Sequence, residues 1–210
     1  MHMLTRIYYE LLAFLFPSRT GVVWEQIQYE DIAARYAITT IYSVTNGVAL
    51  LPYRDPRVRE LLWTLKYRGK KSIAKQFGTL LAHYINEQHT QKQNLLLVPV
   101  PLSQKRLRER GFNQTESIVR ACVDKIPHLS YSSNLLVRTK DNEHQARLSR
   151  KKRLENIKGA FAVDDPDNML ADAHIILVDD VVTTGATLAE ARSALIQAGA
   201  RQVTCVAIAH

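Results

Sequence analysis

The residues that most constrain the fold lie between positions 175 and 188 and have the sequence IILVDDVVTTGATL. Four apolar residues are followed by two acids, Asp179 and Asp180, and then by a bend of small residues that opens onto a helical pattern. Such an apolar run is typical of a strand buried on both faces of a parallel sheet. The acids therefore lie at its carboxyl end, where open α/β sheets place their ligands.

The chemistry of this segment indicates a sugar phosphate. Backbone N–H groups, hydroxyls and a helix N-terminus can all face a phosphate from the bend, whose residues are Thr183, Thr184, Gly185, Ala186 and Thr187. Carboxylates accept hydrogen bonds from hydroxyls and repel phosphates, so Asp179 and Asp180 favour the hydroxyls of a sugar. A ribose 5-phosphate satisfies both demands. The alternative is an ordinary strand whose acids and Thr/Gly turn merely cap the next helix.

The same residues resemble the signature of the type I phosphoribosyltransferases, which bind 5-phosphoribosyl 1-diphosphate (PRPP). This resemblance implies that Asp179 and Asp180 hold the 2′ and 3′ hydroxyls of the ribose and that residues 183–187 hold the 5-phosphate. It also implies Mg²⁺ as a cofactor, bound mainly through PRPP and close to the two acids.

The chain has 210 residues, enough for one domain with a substantial core and a small appendage. We expect residues 1–45 to form a helical appendage and residues 46–210 an α/β domain, because strands and helices alternate along it. The expected architecture is the type I phosphoribosyltransferase fold, a mostly parallel sheet with helices on both faces.

The sequence favours a cytoplasmic protein that does not insert into a membrane. No apolar run approaches the roughly 20 residues of a membrane helix, and the start lacks the small-residue cleavage site of a signal peptide. Two cysteines, Cys122 and Cys205, fall inside a predicted helix and a predicted strand. We expect them to be core thiols rather than a disulfide.

Positive charge is concentrated in the middle of the chain. The formal net charge is +8, and residues 101–158 hold fourteen lysines and arginines against six acids. A local excess of this size favours a polyanionic partner, either a diphosphate, a nucleic acid or both. For the run at residues 150–153 taken alone, a solvated basic surface without a partner is the alternative.

A second segment, residues 97–114, has the sequence LVPVPLSQKRLRERGFNQ. We expect a strand ending at the prolines, a cationic loop, and a helix from Asn113. The segment resembles the ComF family, a phosphoribosyltransferase-like group linked to natural competence, in its VPVPL and RGFNQ stretches. The resemblance extends over about three quarters of the chain, through LKYRG at residues 65–69 and through Arg138, Gln145, Leu148, Arg153, Asn156, Gly159, Ala160 and Phe161.

Phosphoribosyl transfer requires cations that neutralise the departing diphosphate. Arg106 and Arg110 are the expected cations, because a guanidinium binds phosphate bidentately; the alternative for each is a charge on a helix surface. Further candidates for the diphosphate or for a mobile lid over residues 139–148 are Lys66, Lys105, Asn113, Gln114, Arg138 and Gln145. For Lys66, a helix end terminated by Gly69 is an equal alternative.

The chain departs from the ComF pattern at its amino end. Many relatives carry a four-cysteine zinc module there, but no cysteine precedes Cys122 in this chain. We therefore expect no zinc site of that kind, and an appendage that folds by apolar packing. Within the lid, Lys140 and Asn142 replace the usual arginine and threonine of the family.

Two functions are compatible with these residues. The first is an enzyme that transfers the phosphoribosyl group of PRPP to an acceptor and releases diphosphate, linked to DNA uptake in natural competence. The second is a non-catalytic PRPP sensor of the same fold, whose basic face binds single-stranded DNA or a protein of the competence machinery. No motif indicates the acceptor or the oligomeric state.

Overall fold

Six strands form the main sheet of the computed structural model, which describes residues 42–44, 47–89, 94–140, 157–165, 168–171 and 173–210. Their order is β1-β2-β8-β7-β3-β4, and every neighbouring pair is parallel except β1 with β2. Strands β5 and β6 pair antiparallel in a separate ribbon. The strands are β1 Tyr42–Val44, β2 Gly47–Leu51, β3 Leu95–Pro99, β4 Ser130–Tyr131, β5 Leu136–Arg138, β6 Phe161–Val163, β7 His174–Val181 and β8 Gln202–Ala209.

Helices cover both faces of this sheet. They are α1 Pro56–Arg68, α2 Lys71–His89, α3 Gln104–Arg110, α4 Gln114–Val123 and α5 Ala186–Gln197. Buried leucines and isoleucines of α1, α2 and α4 pack on one face together with Ile176 and Val178 of β7. On the other face, α5 and the β5–β6 ribbon pack against Ile175 and Leu177. Each apolar face of the parallel sheet is therefore removed from water, as its unbroken hydrophobic strands require.

The prediction of a mostly parallel sheet with helices on both faces is confirmed. Cys122 and Cys205 are buried free thiols, as expected, and burial raises the pKa of each to about 12. No helix within the described ranges is long and apolar enough to cross a membrane.

The cationic segment after β3 is a helix, so the prediction of a loop is wrong there. Ser103 caps the start of α3, accepting a bond from the Arg106 N–H at 3.4 Å. Gly111 ends the helix in the left-handed conformation, with a φ of 79°. These two caps satisfy backbone groups at both ends of a very short helix.

Residues 130–138 contain two strands that belong to different sheets. Strand β4 pairs with β3 in the main sheet, whereas β5 pairs with β6 in the ribbon. A turn separates them, in which the Ser132 hydroxyl accepts a bond from the Leu135 N–H at 3.3 Å. The chain therefore leaves the main sheet at this point.

Several predictions fall outside the described residues. They concern most of the appendage and residues 141–148 of the expected lid, including Gln145. Strand β1 precedes the domain boundary expected at residue 45, and it pairs with β2 at the edge of the main sheet.

Candidate functional site

The carboxyl ends of β3 and β7 lie side by side and carry both segments that the sequence singles out. The two strands are paired along their length, and the Val100 N–H continues the ladder by donating to the Val178 carbonyl at 2.8 Å. The acids follow Val178 directly, and α3 begins just beyond Val100. Residues that the sequence places far apart therefore meet at one edge of the sheet.

The loop between β7 and α5 encloses an open depression. The depression is lined by Asp179 and residues 181–188, which include all five residues predicted to hold the 5-phosphate. Gly185 forms the N-cap of α5 with a φ of 77° and has no side chain with which to cap the helix. The Ala186 N–H donates to the Thr184 hydroxyl at 3.4 Å. A helix N-terminus presents partly positive N–H groups to an anion. The loop can therefore bind a phosphate through its backbone.

Asp179 lies on the side of the strand that faces this depression. Its Oδ1 accepts a bond from the backbone N–H of Asp180 at 2.8 Å. Burial, followed by the negative charge of Asp180, raises its pKa from 3.8 to about 7, although this hydrogen bond, Lys66 and Arg138 act in the opposite direction. The carboxyl group therefore changes its charge close to neutral pH.

Asp180 lies on the opposite face of the strand and has different neighbours. It is 5% exposed, and its Oδ1 is 2.9 Å from the Nζ of Lys66 on α1. Its Oδ2 accepts a short hydrogen bond from the Nε2 of Gln114 on α4. Successive residues of a strand point to opposite faces. The structure thus brings Lys66 and Gln114 to one acid of the pair and the depression to the other.

Arg110 extends this network toward the surface. Its Nη1 donates to the Oε1 of Gln114 at 2.8 Å, and its guanidinium carbon lies 5.3 Å from the centre of the Tyr67 ring. Lys66, Asp180, Gln114, Arg110 and Tyr67 therefore form a continuous series of contacts. We call these five residues the Asp180 network.

Two sequence motifs interlock beside the network. Gly69 ends α1 with a φ of 61°, and a Cβ placed there would lie 3.2 Å from the ring of Phe112. Asn113 joins the same region to β3, because its Nδ2 donates to the Val100 carbonyl at 3.1 Å while its Oδ1 accepts from the Thr115 N–H at 3.0 Å. Asn113 therefore anchors and caps α4 at the end of β3.

The remaining candidates lie on nearby elements. Lys105 is exposed and Arg106 half-buried on α3, the helix that also carries Arg110. Arg138 lies on β5 with its guanidinium carbon 5.7 Å from the centre of the Phe161 ring, and its charge lowers the pKa of Asp179. The ribbon thus adds positive charge to the side of the site that holds Asp179.

Sequence reasoning did not assign roles to Tyr67 and Phe112. Tyr67 lies under Arg110, and Phe112 lies against Gly69. Tyr67 belongs to the LKYRG motif and Phe112 to the RGFNQ motif, so their membership of these motifs could have indicated a role at the site.

The donor set fits Mg²⁺ only as an ion bound together with a phosphate ligand. In the described part of the chain, no group of three His, Cys, Asp or Glu side chains lies together as metal ligands would. Asp179 offers carboxylate oxygens beside the depression, whereas Asp180 is already paired with Lys66. Mg²⁺ commonly binds through one or two carboxylates and the phosphates of a substrate.

Several known proteins are similar to this chain in sequence. The family model of the phosphoribosyl transferase domain matches residues 125–210. Competence protein ComFC of Bacillus subtilis is 35% identical over 147 residues, which cover 70% of this chain and 56% of that protein. DNA utilization protein YhgH of Escherichia coli is 33% identical over 158 residues, 72% of this chain and 67% of that protein. Competence protein F of Haemophilus influenzae is 33% identical over 148 residues, 68% of this chain and 63% of that protein.

One solved structure has a similar but remote arrangement. A hypoxanthine phosphoribosyltransferase of Staphylococcus aureus superposes with a TM-score of 0.40 and 14% identity, over 66% of this chain and 63% of that one. This similarity is too weak to add to the assignment.

The sheet, the loop after β7 and the domain match together define a phosphoribosyltransferase-like protein. More narrowly, the chain belongs to the ComF family, whose members include the competence and DNA utilization proteins above. The matching region spans a little over half the length of ComFC and two thirds of YhgH.

Proposed function

We propose that this protein binds PRPP at the depression beside Asp179 and transfers its phosphoribosyl group to an acceptor, with release of diphosphate. The observation that carries this proposal is the N-terminus of α5, which begins at Gly185, next to a carboxylate at the end of β7. A phosphate and a sugar hydroxyl a few ångströms apart match these two features. Membership of the ComF family supports the same ligand class.

Different residues bind the phosphate and the sugar of the ligand. Backbone N–H groups and hydroxyls of residues 183–187 bind the 5-phosphate, and Asp179 in its ionised form accepts a bond from a ribose hydroxyl. Asp180 is already occupied by Lys66 and Gln114. Its role is therefore to hold these two side chains at the edge of the sheet, while Asp179 contacts the sugar.

Bond cleavage at C1′ separates a positively charged sugar from a departing diphosphate. Lys66 is paired with Asp180, and Arg110 is bonded to Gln114 in the same network. From there their charges stabilise the diphosphate as it leaves. Arg106 and Lys105 on α3 add positive potential on the same side. Asp179, which lines the depression, is the carboxylate that would hold Mg²⁺ together with PRPP, and the ion would neutralise further charge on the diphosphate.

Calorimetric titration with PRPP and Mg²⁺ tests the binding step. We expect Asp179→Asn to weaken PRPP binding about tenfold, because a hydrogen bond to a charged group is lost. Asp124→Asn, an exposed acid after α4, is the matched control and should bind as the wild type does. Absence of PRPP binding by the folded wild-type protein would contradict the proposal.

Diphosphate release from PRPP, measured with a panel of purine and pyrimidine bases, tests the transfer step. Release that depends on one class of base identifies the acceptor. Binding of PRPP without release with any base would instead support the sensor that the sequence left open.

A second candidate function, binding of single-stranded DNA, is favoured by one surface. The Trp63 and Tyr67 rings are 5.3 Å apart at an angle of 44°, Arg68 lies 5.4 Å from the Trp63 centroid, and Arg110 lies against Tyr67. We call these four residues the aromatic ladder. Two adjacent rings with a cation at each end suit the stacking of unpaired bases beside a phosphate backbone.

Fluorescence anisotropy with a labelled unpaired oligonucleotide tests the ladder. We expect Trp63→Leu to weaken binding about tenfold, since the stacking of a base on a ring contributes about 1–3 kcal/mol. Tyr131→Leu is the matched control, because it removes another ring stacked with an arginine, Arg120 at 5.5 Å. Equal effects of both variants would exclude the ladder as the DNA-binding surface.

A further inference from the structure

The guanidinium of Arg110 is held from two directions. Gln114 accepts a hydrogen bond from its Nη1 at 2.8 Å, and the Tyr67 ring lies against it at 5.3 Å. An arginine side chain is otherwise among the most flexible in proteins, and ordering it opposes binding. The two contacts therefore limit the positions that this cation can take before any ligand arrives.

The orientation of the Gln114 amide is fixed by its two neighbours. It is 3% exposed, its Oε1 faces Arg110, and its Nε2 faces Asp180. A carboxylate can only accept and a guanidinium can only donate, so the two neighbours fix the orientation of the amide. Gln114 thus transmits the position of a buried acid to a cation nearer the surface, which differs from the direct diphosphate contact predicted from the sequence.

Tyr67 has a comparable place on α1. Lys66, the residue before it, reaches Asp180, while Tyr67 itself reaches Arg110. The end of α1 is fixed by Gly69 in the left-handed conformation, against which Phe112 packs. A single helix end therefore brings both a lysine and an aromatic ring to the Asp180 network.

We propose that Gln114 and Tyr67 are positioning residues that hold Arg110 ready for the diphosphate of PRPP. This inference rests on the proposed function, because it assigns the diphosphate end of that ligand to Arg110. Neither residue touches the ligand. Their contribution is preorganisation, since a cation already in place needs no rearrangement as charge develops on the leaving group.

Titrations with PRPP, inorganic diphosphate and ribose 5-phosphate distinguish loss of the position of Arg110 from general disruption of the binding site. We expect Tyr67→Leu to weaken PRPP and diphosphate about fivefold, the size of a cation–π contact, and to change ribose 5-phosphate less than about twofold. Tyr67→Phe keeps the ring and should restore the wild-type affinities. Gln114→Met should act in the same direction as Tyr67→Leu, because it removes the hydrogen bond to Arg110 at similar side-chain size.

Arg110→Met sets the scale of these effects. Combined with Tyr67→Leu, it should weaken PRPP no more than Arg110→Met alone, because the ring acts only through the arginine. Tyr131→Leu serves as the matched control for loss of a ring stacked with an arginine. Near-ultraviolet circular dichroism of each variant checks the fold.

Two results would overturn this inference. One is unchanged PRPP affinity in folded Tyr67→Leu; the other is equal weakening of PRPP and ribose 5-phosphate. If the wild-type protein binds neither PRPP nor ribose 5-phosphate, the proposed function itself fails. The two failures are therefore distinguishable.

Discussion

The loop after β7 and the segment after β3 meet at one edge of the sheet but are built in opposite ways. The loop consists of small residues around an open depression, and its binding groups belong largely to the backbone. The segment after β3 carries long cationic side chains on a short helix, and Arg110 is already bonded to Gln114. Backbone groups are placed by the fold, whereas long side chains need neighbours to place them. The backbone therefore positions the binding groups of the loop after β7, whereas contacts between side chains position those of the segment after β3.

The acid pair repeats this contrast within two adjacent residues. Asp179 lines the depression and titrates near neutral pH, while Asp180 is buried between Lys66 and Gln114. Replacement of Asp179 should therefore change mainly the affinity for the ligand. Loss of the contacts of Asp180 should change mainly the stability of the fold. The following experiments test this division, from the largest expected effect to the smallest.

Lys66→Met should lower the free energy of unfolding by about 3 kcal/mol, because it leaves a buried carboxylate without its cation. The Asp180 side chain is 7% exposed and that of Lys66 21%, so water screens the pair poorly. Urea denaturation measures the change. Lys71→Met, an exposed lysine at the start of α2, is the matched control, and Lys66→Met with Asp180→Asn should recover part of the loss. Equal stability of the two lysine variants would refute a structural role for Asp180.

Gly185→Ala should weaken PRPP and ribose 5-phosphate to a similar extent, by at least about tenfold, because alanine resists the left-handed conformation and distorts the loop. Gly199→Ala introduces strain of the same kind at a φ of 105°, beyond the other end of α5. Titration of both ligands should show normal affinity in that control. Normal affinity in folded Gly185→Ala would contradict the assignment of the loop to the 5-phosphate.

The affinity for PRPP should rise between pH 6 and pH 8 as Asp179 ionises. With a pKa of about 7, the ionised fraction of Asp179 grows about tenfold over this range. The carboxylate accepts a charge-assisted bond from a ribose hydroxyl, which is stronger than the bond that the neutral acid accepts. Titrations at both pH values measure the change. Asp179→Asn removes this contribution and leaves only the titration of the ligand itself, so an identical pH dependence in the variant would argue against contact between Asp179 and the sugar.

Asp179 should also make the folded protein less stable as pH rises from about 4 to about 7. Its pKa is higher in the folded protein than its ordinary value of 3.8, so over this interval the folded state binds more protons than the unfolded state. Asp179→Asn should therefore gain stability relative to the wild type at pH 8, on the order of 1 kcal/mol, and less at pH 4. Denaturant unfolding at the two pH values measures the difference, and a constant difference would contradict it.

The sequence predicts the parts of the fold that depend on neighbouring residues. The apolar run of β7, its terminal acids and the helix that follows are local features, and all are found where expected. The start of helix α1 is also local, because the Asp55 side chain accepts a bond from the Arg57 N–H at 2.8 Å and Pro56 is the first helical residue. Ser103 and Gly111, which cap α3, are equally local signals of a helix. The prediction of a cationic loop did not take them into account.

The partners of the acids were less accessible to sequence reasoning. The contacts of Asp180 with Lys66 and Gln114 join three elements that are distant along the chain, and only the tertiary fold brings them together. Strand alternation alone nevertheless requires that Asp179 and Asp180 face opposite sides. The assignment of both acids to one sugar stays a prediction.

Strand order has a consequence for how the sheet is assembled. Strand β8 lies between β7 and β2 in space, although β2 comes far earlier in the sequence. Strand β2 consequently has no parallel neighbour until β8 is in place. Pairing two strands so far apart in sequence costs chain entropy and slows folding. In a nascent chain, β2 therefore lacks its parallel partner while α5 and β8 are still being synthesised. Strand β8 is then the strand that completes the sheet.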